Sequence, residues 1–525
     1  MKNLVLIFCF FSFISSSVTS QWFEQNTGTQ GTYSTLFFID SLYGWIGGYN
    51  NNYNFILRTS DGGESWNEAP IDGIVKSIFF TNRDTGFCGT WYNSALRRHY
   101  IYKTTDGGIN WNTIYIDSLP FLSITFLDKD NGYSVASQFW EGSIFIKTTN
   151  GGNSWTRNRF PTGYVFNSIK MLNESTGYIA GGFPEKVWKT TTGGDEWSLI
   201  FERDSSYEYF NSITFSNQLN GFACGSSFYK TTDSGNNWSE IILPTITYVS
   251  IVCIADECWL ATDGGCSSIL YSPDLGVNWI PTYLHISYIS DVFFVNQNIG
   301  WACGPGSLLI KTDNGGLGII SIPSIPELIY PENGASYIPI PVGFFWEIIN
   351  NSFYRLQISL DETFNDISLD TLLIENGIGV TLEEYTSYFW RVRGENILGN
   401  SDWSETRTFS TGQTVGVDDN ILSSEFKLLQ NYPNPFNPVT KIKYSVGANC
   451  NLLDGKAGSP VQIKVYDVLG NEIATLVNEE KPAGVYEVEF NTVGTSRDLS
   501  LPSGIYFYQL KAGSFIQTKK MILLR

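Results

Sequence analysis

Apolar and polar positions alternate in short runs along most of this chain, and the runs recur at a near-constant interval. Ser77-Ile-Phe-Phe, Ser168-Ile-Lys-Met and Ser212-Ile-Thr-Phe each lead through a polar turn to Gly86-Phe-Cys-Gly, Gly177-Tyr-Ile-Ala-Gly and Gly221-Phe-Ala-Cys-Gly. Such runs, bounded by turn residues, predict half-buried strands. A third motif follows them, Lys/Arg-Thr-Thr-Asp-Gly-Gly-x-x-Trp. It stands at Arg58–Trp66, Lys103–Trp111, Lys147–Trp155, Lys189–Trp197 and Lys230–Trp238, and is degraded at Tyr271–Trp279 and Lys311–Ile319. Its last positions are 45, 44, 42, 41, 41 and 40 residues apart, the length of one four-stranded propeller blade. Each unit reads as strand A (Ser-Ile-x-Phe), a polar turn, strand B, strand C ending in Lys-Thr-Thr, the Asp-Gly-Gly turn, and strand D from the Trp.

The turn residues have a complete structural task. The second glycine (Gly63, Gly108, Gly152, Gly194, Gly235, Gly276, Gly316) is present in all seven copies, which suits a position needing positive φ. The Asp, Asn or Thr two residues earlier, including Asp61, Asp106, Asp233 and Asp274, can accept backbone N–H bonds within the turn. Trp66, Trp111, Trp155, Trp197, Trp238 and Trp279 are expected to fold back over it.

The last copy has Ile319 in place of Trp and no D strand after it. Trp22 stands alone, 12 residues before Ser34, just as Trp66, Trp111 and Trp238 lie 11, 12 and 12 residues before their next A-strand serines. Trp22–Asn26 is therefore predicted to be the missing D strand, closing a seven-bladed ring over residues 21–320 and covering its open edges.

The flanking segments differ. Met1–Ser20 reads as a signal peptide: Lys2, the apolar run Leu4–Ile14, then Val18-Thr19-Ser20 before Gln21. No later stretch is long and apolar enough for a membrane helix. Ile319–Pro326 reads as an extended linker, with 321–326 as its centre. In 327–412, Val342–Ile349, Tyr354-x-Leu356-x-Ile358 and Tyr388-x-Trp390-x-Val392 predict a sandwich; 413–423 is a second linker and 424–525 a second small sandwich. The expected fold class is all-β, a seven-bladed β-propeller plus two small β-sandwich domains.

Three resemblances follow from these motifs. Thr59-x-Asp61-x-Gly63-x-Ser65-Trp66 and its copies resemble the Asp box of sialidase-like propellers, and the whole unit resembles the BNR-like repeats of the photosystem II stability and assembly factor family. Tyr388–Val392, Asn400-Ser-Asp-Trp-Ser404 and Phe409-Ser-Thr411 resemble fibronectin type III domains, which implies a spacer or binding module. Leu428-Leu-Gln-Asn-Tyr-Pro-Asn-Pro-Phe-Asn-Pro438, Val465-Tyr-Asp-Val-Leu-Gly470, Ala483-Gly-Val-Tyr486, Ser503-Gly-Ile-Tyr-Phe-Tyr508 and Lys519-Lys-Met-Ile-Leu-Leu-Arg525 resemble the type A C-terminal sorting domain of the type IX secretion system. That resemblance implies the type IX machinery as a partner, and a secreted or surface protein that passes through the periplasm. The proline cluster is expected to fix an extended entry strand.

Composition narrows the chemistry. The net charge is −19 with no basic stripe, which argues against nucleic acid. Of seven cysteines left after the leader, Cys88, Cys224 and Cys303 occupy matching repeat positions and read as buried thiols. Cys253 and Cys258 flank a short turn and can pair, with Cys266 as an alternative partner; none has zinc-site spacing. No cofactor or metal motif is present. The propeller's arginines are few apart from Arg97-Arg98, no Arg-Ile-Pro motif opens the chain, and only His99 and His285 are available for acid–base work.

The loops between strands B and C are irregular and aromatic in the early blades, at Tyr49 and Tyr53, Trp91-Tyr92 with Arg97-Arg98, and Phe139-Trp140. Aromatics gathered on one side of a ring can stack on sugars or anchor a protein. The leading expectation is a non-enzymatic extracellular binder of a glycan or protein; the competing one is a sialidase-like or other glycoside hydrolase, the first needing an arginine cluster, a Tyr/Glu pair and an acid, the second two facing carboxylates in a pocket.

Overall fold

The computed structural model describes residues 22–523 apart from 92–97, 139–141, 161–164, 204–207, 246, 264–266, 286–287, 318–319, 350, 415–426, 447–458, 468–471, 482–483, 493–500, 503 and 513–514. All its regular elements are strands. Six four-stranded antiparallel sheets follow one another at 32–71, 74–117, 121–160, 166–202, 210–240 and 247–285, and are blades one to six. Blade seven joins Asp291–Phe294, Gly300–Cys303 and Leu309–Thr312 to Phe23–Glu24 from the other end of the chain. Phe23 pairs with Lys311 and Glu24 with Ile310, and Gln25 N–H donates to the Leu309 carbonyl at 2.8 Å. Trp22 is buried edge-on against Phe294 at 5.8 Å. A Cβ on Gly316 would meet its indole at 2.4 Å, so Trp22 lies over the last turn as Trp111, Trp155, Trp238 and Trp279 lie over theirs.

A blade exposes two apolar faces and cannot bury either alone. One apolar cluster therefore fills each seam of the ring. In five seams the aromatic residue of strand B stacks on the Phe of the next blade's strand A. These pairs are Trp45/Phe80, Phe87/Phe126, Tyr178/Phe215, Trp259/Phe294 and Trp301/Phe38, with centroids 3.4–4.1 Å apart. Each such contact contributes about 0.5–1.5 kcal/mol beyond area burial. The Trp301/Phe38 stack, in the seam of blades seven and one, belongs to this series.

Most turns between strands A and B are locked by one side chain. The Asp40, Asn82, Asp128, Asn173, Asn217 and Asn296 carboxyl or amide oxygens each accept two backbone N–H bonds. Blade six lacks that residue; there Cys253 and Cys258 face each other across Ile254–Glu257 and are disulfide-bonded. Cys88, Cys224 and Cys303 are buried free thiols, and Cys266 lies outside the described residues.

Beyond the ring, Pro323 packs against Gly394 and the Ser321 carbonyl accepts from the Asn396 amide, so this connection lies along the next domain. That domain is a three-stranded sheet (Leu328–Tyr330, Val342–Trp346, Gly377–Val380) packed on a larger one containing Phe353–Ser359, Ser387–Asn396 and Arg407–Thr414 around Trp346, Tyr354 and Trp390. Trp403 lies between the Arg391 and Arg393 guanidinium groups, at 4.3 and 4.7 Å. Phe353 and Ile374 join the apolar seam of blades five and six.

The last domain packs Val439–Val446 and Gly484–Asn491 against the sheet of Ser459–Tyr466, Glu472–Lys481, Gly504–Ala512 and Phe515–Leu523. Its entry departs from the expected extended strand. Only Lys427–Leu428 is strand, and the prolines form a bent segment held by bridges from Tyr432 to Lys441 and from Phe436 to Leu523. The reason is the lost donors: with Pro433, Pro435 and Pro438 unable to donate, the segment is fixed instead by Phe436 N–H to the Ile522 carbonyl and by Tyr508, which bridges the Leu429 carbonyl and Asn431 N–H.

Candidate functional site

The two faces of the ring differ chemically. On the face formed by the A–B and C–D turns, the carboxyl, amide or hydroxyl groups of six Asp-box turns are bonded within their own turn. In the first, Thr59 Oγ1 donates to Asp61 Oδ1 and accepts from Gly63 N–H at 2.9 Å, and Asp61 Oδ1 accepts from Ser65 N–H at 3.0 Å. Thr104/Asp106, Thr148/Asn150, Thr231/Asp233 and Ser272/Asp274 repeat this arrangement. Thr190/Thr192 does so with a hydroxyl. The second glycine has φ between +76° and +97° in all seven turns.

The carboxylates in these turns are held down by the bonds they accept. The Ser65 hydroxyl and N–H hold Asp61 at about 2. The Asn110 N–H and amide hold Asp106 at about 2. Such groups stay ionised and hydrogen-bonded, which suits turns and not proton transfer. Trp66 donates to the Gly63 carbonyl at 3.2 Å.

The motif's lysine reaches the next blade: Lys103 to the Gly151 carbonyl, Lys189 to Ser234 and Lys311 to Gly62, at 2.7, 2.8 and 3.0 Å. This face is a set of blade-to-blade clasps.

The opposite face carries the B–C loops. Tyr49 ends a strand opposite Asn54 and is half-buried. Tyr53 is exposed and meets Phe55 edge-on at 5.9 Å; a hydrogen bond with Glu68 raises its phenol pKa. Trp91 ends the strand Gly86–Trp91 and is 37% exposed, with Lys76 Nζ 5.3 Å from its ring centroid. Arg98 is exposed beside the strand His99–Thr104, whose His99 is buried. Tyr92, Arg97, Phe139 and Trp140 lie outside the described residues.

The carboxylates that meet on this face belong to blades four and five, and sequence reasoning missed them. Glu185 is fully buried and accepts from Ser227 N–H at 2.8 Å. Arg203 Nη1 lies 3.4 Å from Glu185 and 2.6 Å from Glu208, and its Nη2 lies 3.6 Å from Glu240. Burial pushes the Glu185 carboxyl up, while Ser227 and Arg203 pull it down. One guanidinium thus binds all three carboxylates, at the seam of blades four and five. The available signal was Glu185 in a blade position held elsewhere by Asn54, His99 or Ser143. Among the described residues no three of His, Cys, Asp and Glu converge as metal ligands.

Comparison with known proteins separates the two ends of the chain. Residues 430–524 match the secretion system C-terminal sorting domain. Over 335 residues the chain is 28% identical to the photosystem II assembly lipoprotein Ycf48 of a Picosynechococcus species, spanning 59% of this chain and 93% of that protein. Among solved structures, YCF48 bound to D1 peptide is similar at 19% identity and a TM-score of 0.45, covering 56% of this chain and 94% of that one. The extracellular domain of the one component system BT4673 from B. thetaiotaomicron is similar at 11% identity and a TM-score of 0.43, covering 74% of this chain and 57% of that one. The C-terminal domain marks the chain for type IX secretion, to the cell surface or the extracellular space. No helix among the described residues is long and apolar enough to cross a membrane.

Proposed function

We propose that this chain is an exported binding protein whose propeller presents its B–C loop face to a glycan or protein outside the cell, without catalysing a reaction on it. The observation that carries this reading is the contrast between the faces. One consumes its polar groups in turns and clasps, while the other leaves Trp91 exposed with the Lys76 ammonium beside it and Tyr53 exposed next to Glu68. Exposed aromatics with an adjacent ammonium are the chemistry of sugar stacking and of protein anchors. The similar assembly lipoprotein is named for an assembly role, which agrees with binding; its photosystem is not carried over.

Residues 327–412 act in this reading as a fibronectin type III-like spacer between the propeller and the sorting domain of 424–525, and residues 1–20 act as the leader. Against a two-carboxylate glycosidase stands the pairing of both Glu185 and Glu208 with Arg203.

The test is a glycan array and a pull-down from the extracellular medium, with the wild-type chain and Trp91→Ala. Loss of capture in the variant supports the loop face, and unchanged capture removes it. Turnover of aryl-glycosides that disappears in Glu185→Gln reverses the ranking.

A further inference from the structure

The innermost strands of a propeller line its axis, so equivalent register positions form rings around it. One ring is read from the residues opposite the strand-B aromatics: Phe37, Phe79, Thr125, Lys170, Thr214, Val252 and Phe293. Phe37 touches Phe79 at 5.2 Å and Phe293 at 5.1 Å, so blades seven, one and two form an aromatic wall. Lys170 enters the ring from blade four, on the far side.

Among the described residues Lys170 has no hydrogen bond or ion pair, whereas the box lysines Lys103, Lys189 and Lys311 bond carbonyls of the next blade's Asp-box turn. The one carboxylate at the neighbouring ring position, Asp291, does not answer it. Its oxygens accept from Ser250 Oγ at 2.8 Å, Thr35 Oγ1 at 3.0 Å and Leu36 N–H at 3.2 Å. Nearer the loop face, Ser34, Asn167 and Asn211 bridge to the next blade's backbone, whereas Lys76 turns to Trp91. Burial pushes both ammonium groups down, and no acid offsets the cost for either. Both lysines are half-buried, and an ammonium held among apolar residues with no acid beside it is the kind of local inconsistency that marks functional positions.

We propose that the axis of the propeller is a binding site for a carboxylate borne on a small aromatic or apolar group, with Lys170 as the anion's partner and Phe37, Phe79 and Phe293 as the wall for its apolar part. A carboxylate there gains a charge-assisted hydrogen bond and supplies the countercharge the ring lacks. Lys76, at the loop-face end, adds a second cation on the way in. The site does not depend on the loop-face reading. A Trp91→Ala chain that has lost its macromolecular partner still binds the carboxylate, because Lys170 and the wall are untouched.

Phenylacetate and its neutral isostere phenylacetamide, titrated by calorimetry into the mature chain, test it. The expected result is phenylacetate binding that weakens with salt, at least about tenfold tighter than the amide. Lys170→Met should erase that preference and raise the Tm, since it deletes an uncompensated charge. Equal binding of the two probes to the wild-type chain overturns the proposal, as does no phenylacetate binding. A preference retained in Lys170→Met does so too. The wild-type comparison decides even if the variant does not fold.

Discussion

Replacing Trp22 with alanine attacks the joint that closes the ring. The side chain is 2% exposed, lies edge-on to Phe294 and covers Gly316. Its hydrogen bond to Thr282 Oγ1 is long, at 3.4 Å, and contributes little. Packing therefore sets the magnitude. Truncating a buried Trp to Ala costs about 3–5 kcal/mol, and the strand Phe23–Glu24 has only two residues of pairing to resist the loss.

The loss falls on local opening of blade seven before it reaches global unfolding, because a multi-domain chain has no single transition. Amides of Leu309–Thr312 should then exchange about two to nearly four orders of magnitude faster, at 1.4 kcal/mol per tenfold. Hydrogen exchange read by mass spectrometry reports on that peptide. Val277→Ala, at a position 70% exposed, is the control and should leave it unchanged. Exchange at 309–312 within about threefold of wild type in Trp22→Ala would refute closure by the N-terminal strand.

Arg203→Met should cost about 3–5 kcal/mol by leaving Glu185 buried without its countercharge, and the double variant with Glu185→Gln should recover most of it in thermal melts. The Asp61 and Asp106 carboxyls, held at about 2 against an ordinary 3.8, should titrate there in carboxyl NMR. Because the folded values are depressed, their contribution to stability is present above pH 3.8 and is lost as pH falls towards 2. Non-reducing peptide mapping should recover Cys253 bonded to Cys258, and the double serine variant should lose at most about 2 kcal/mol, since the closed loop is short.

What could be read from the sequence was what repeats locally. The Thr-x-Asp-x-Gly spacing determines a turn within five residues of itself, and the stranded Trp22 announced the closing strand. Relations between blades were not legible in that way. Lys103 bonding Gly151, Ser168 accepting from Ile213 and Arg203 gathering Glu185, Glu208 and Glu240 join residues that only stacking brings together. No local periodicity encodes such partners. Superposing the repeats position by position does expose them as exceptions: Asp291 where other blades have Ser or Thr, and Lys170 among Phe, Thr and Val. The bent proline entry escaped for a related reason, since its partners Tyr508 and Ile522 lie at the far end of the domain.

The ring is closed by its own N-terminus, and the C-terminal domain carries the chain out of the cell. Mass spectrometry of both termini of the chain, purified from medium, cell-surface and periplasmic fractions of the native host, tests the two together. The expected product is a protein outside the outer membrane whose first residue precedes Trp22, so that the closing strand survives processing. A mature chain that begins after Glu24, or one confined to the periplasm, would contradict it.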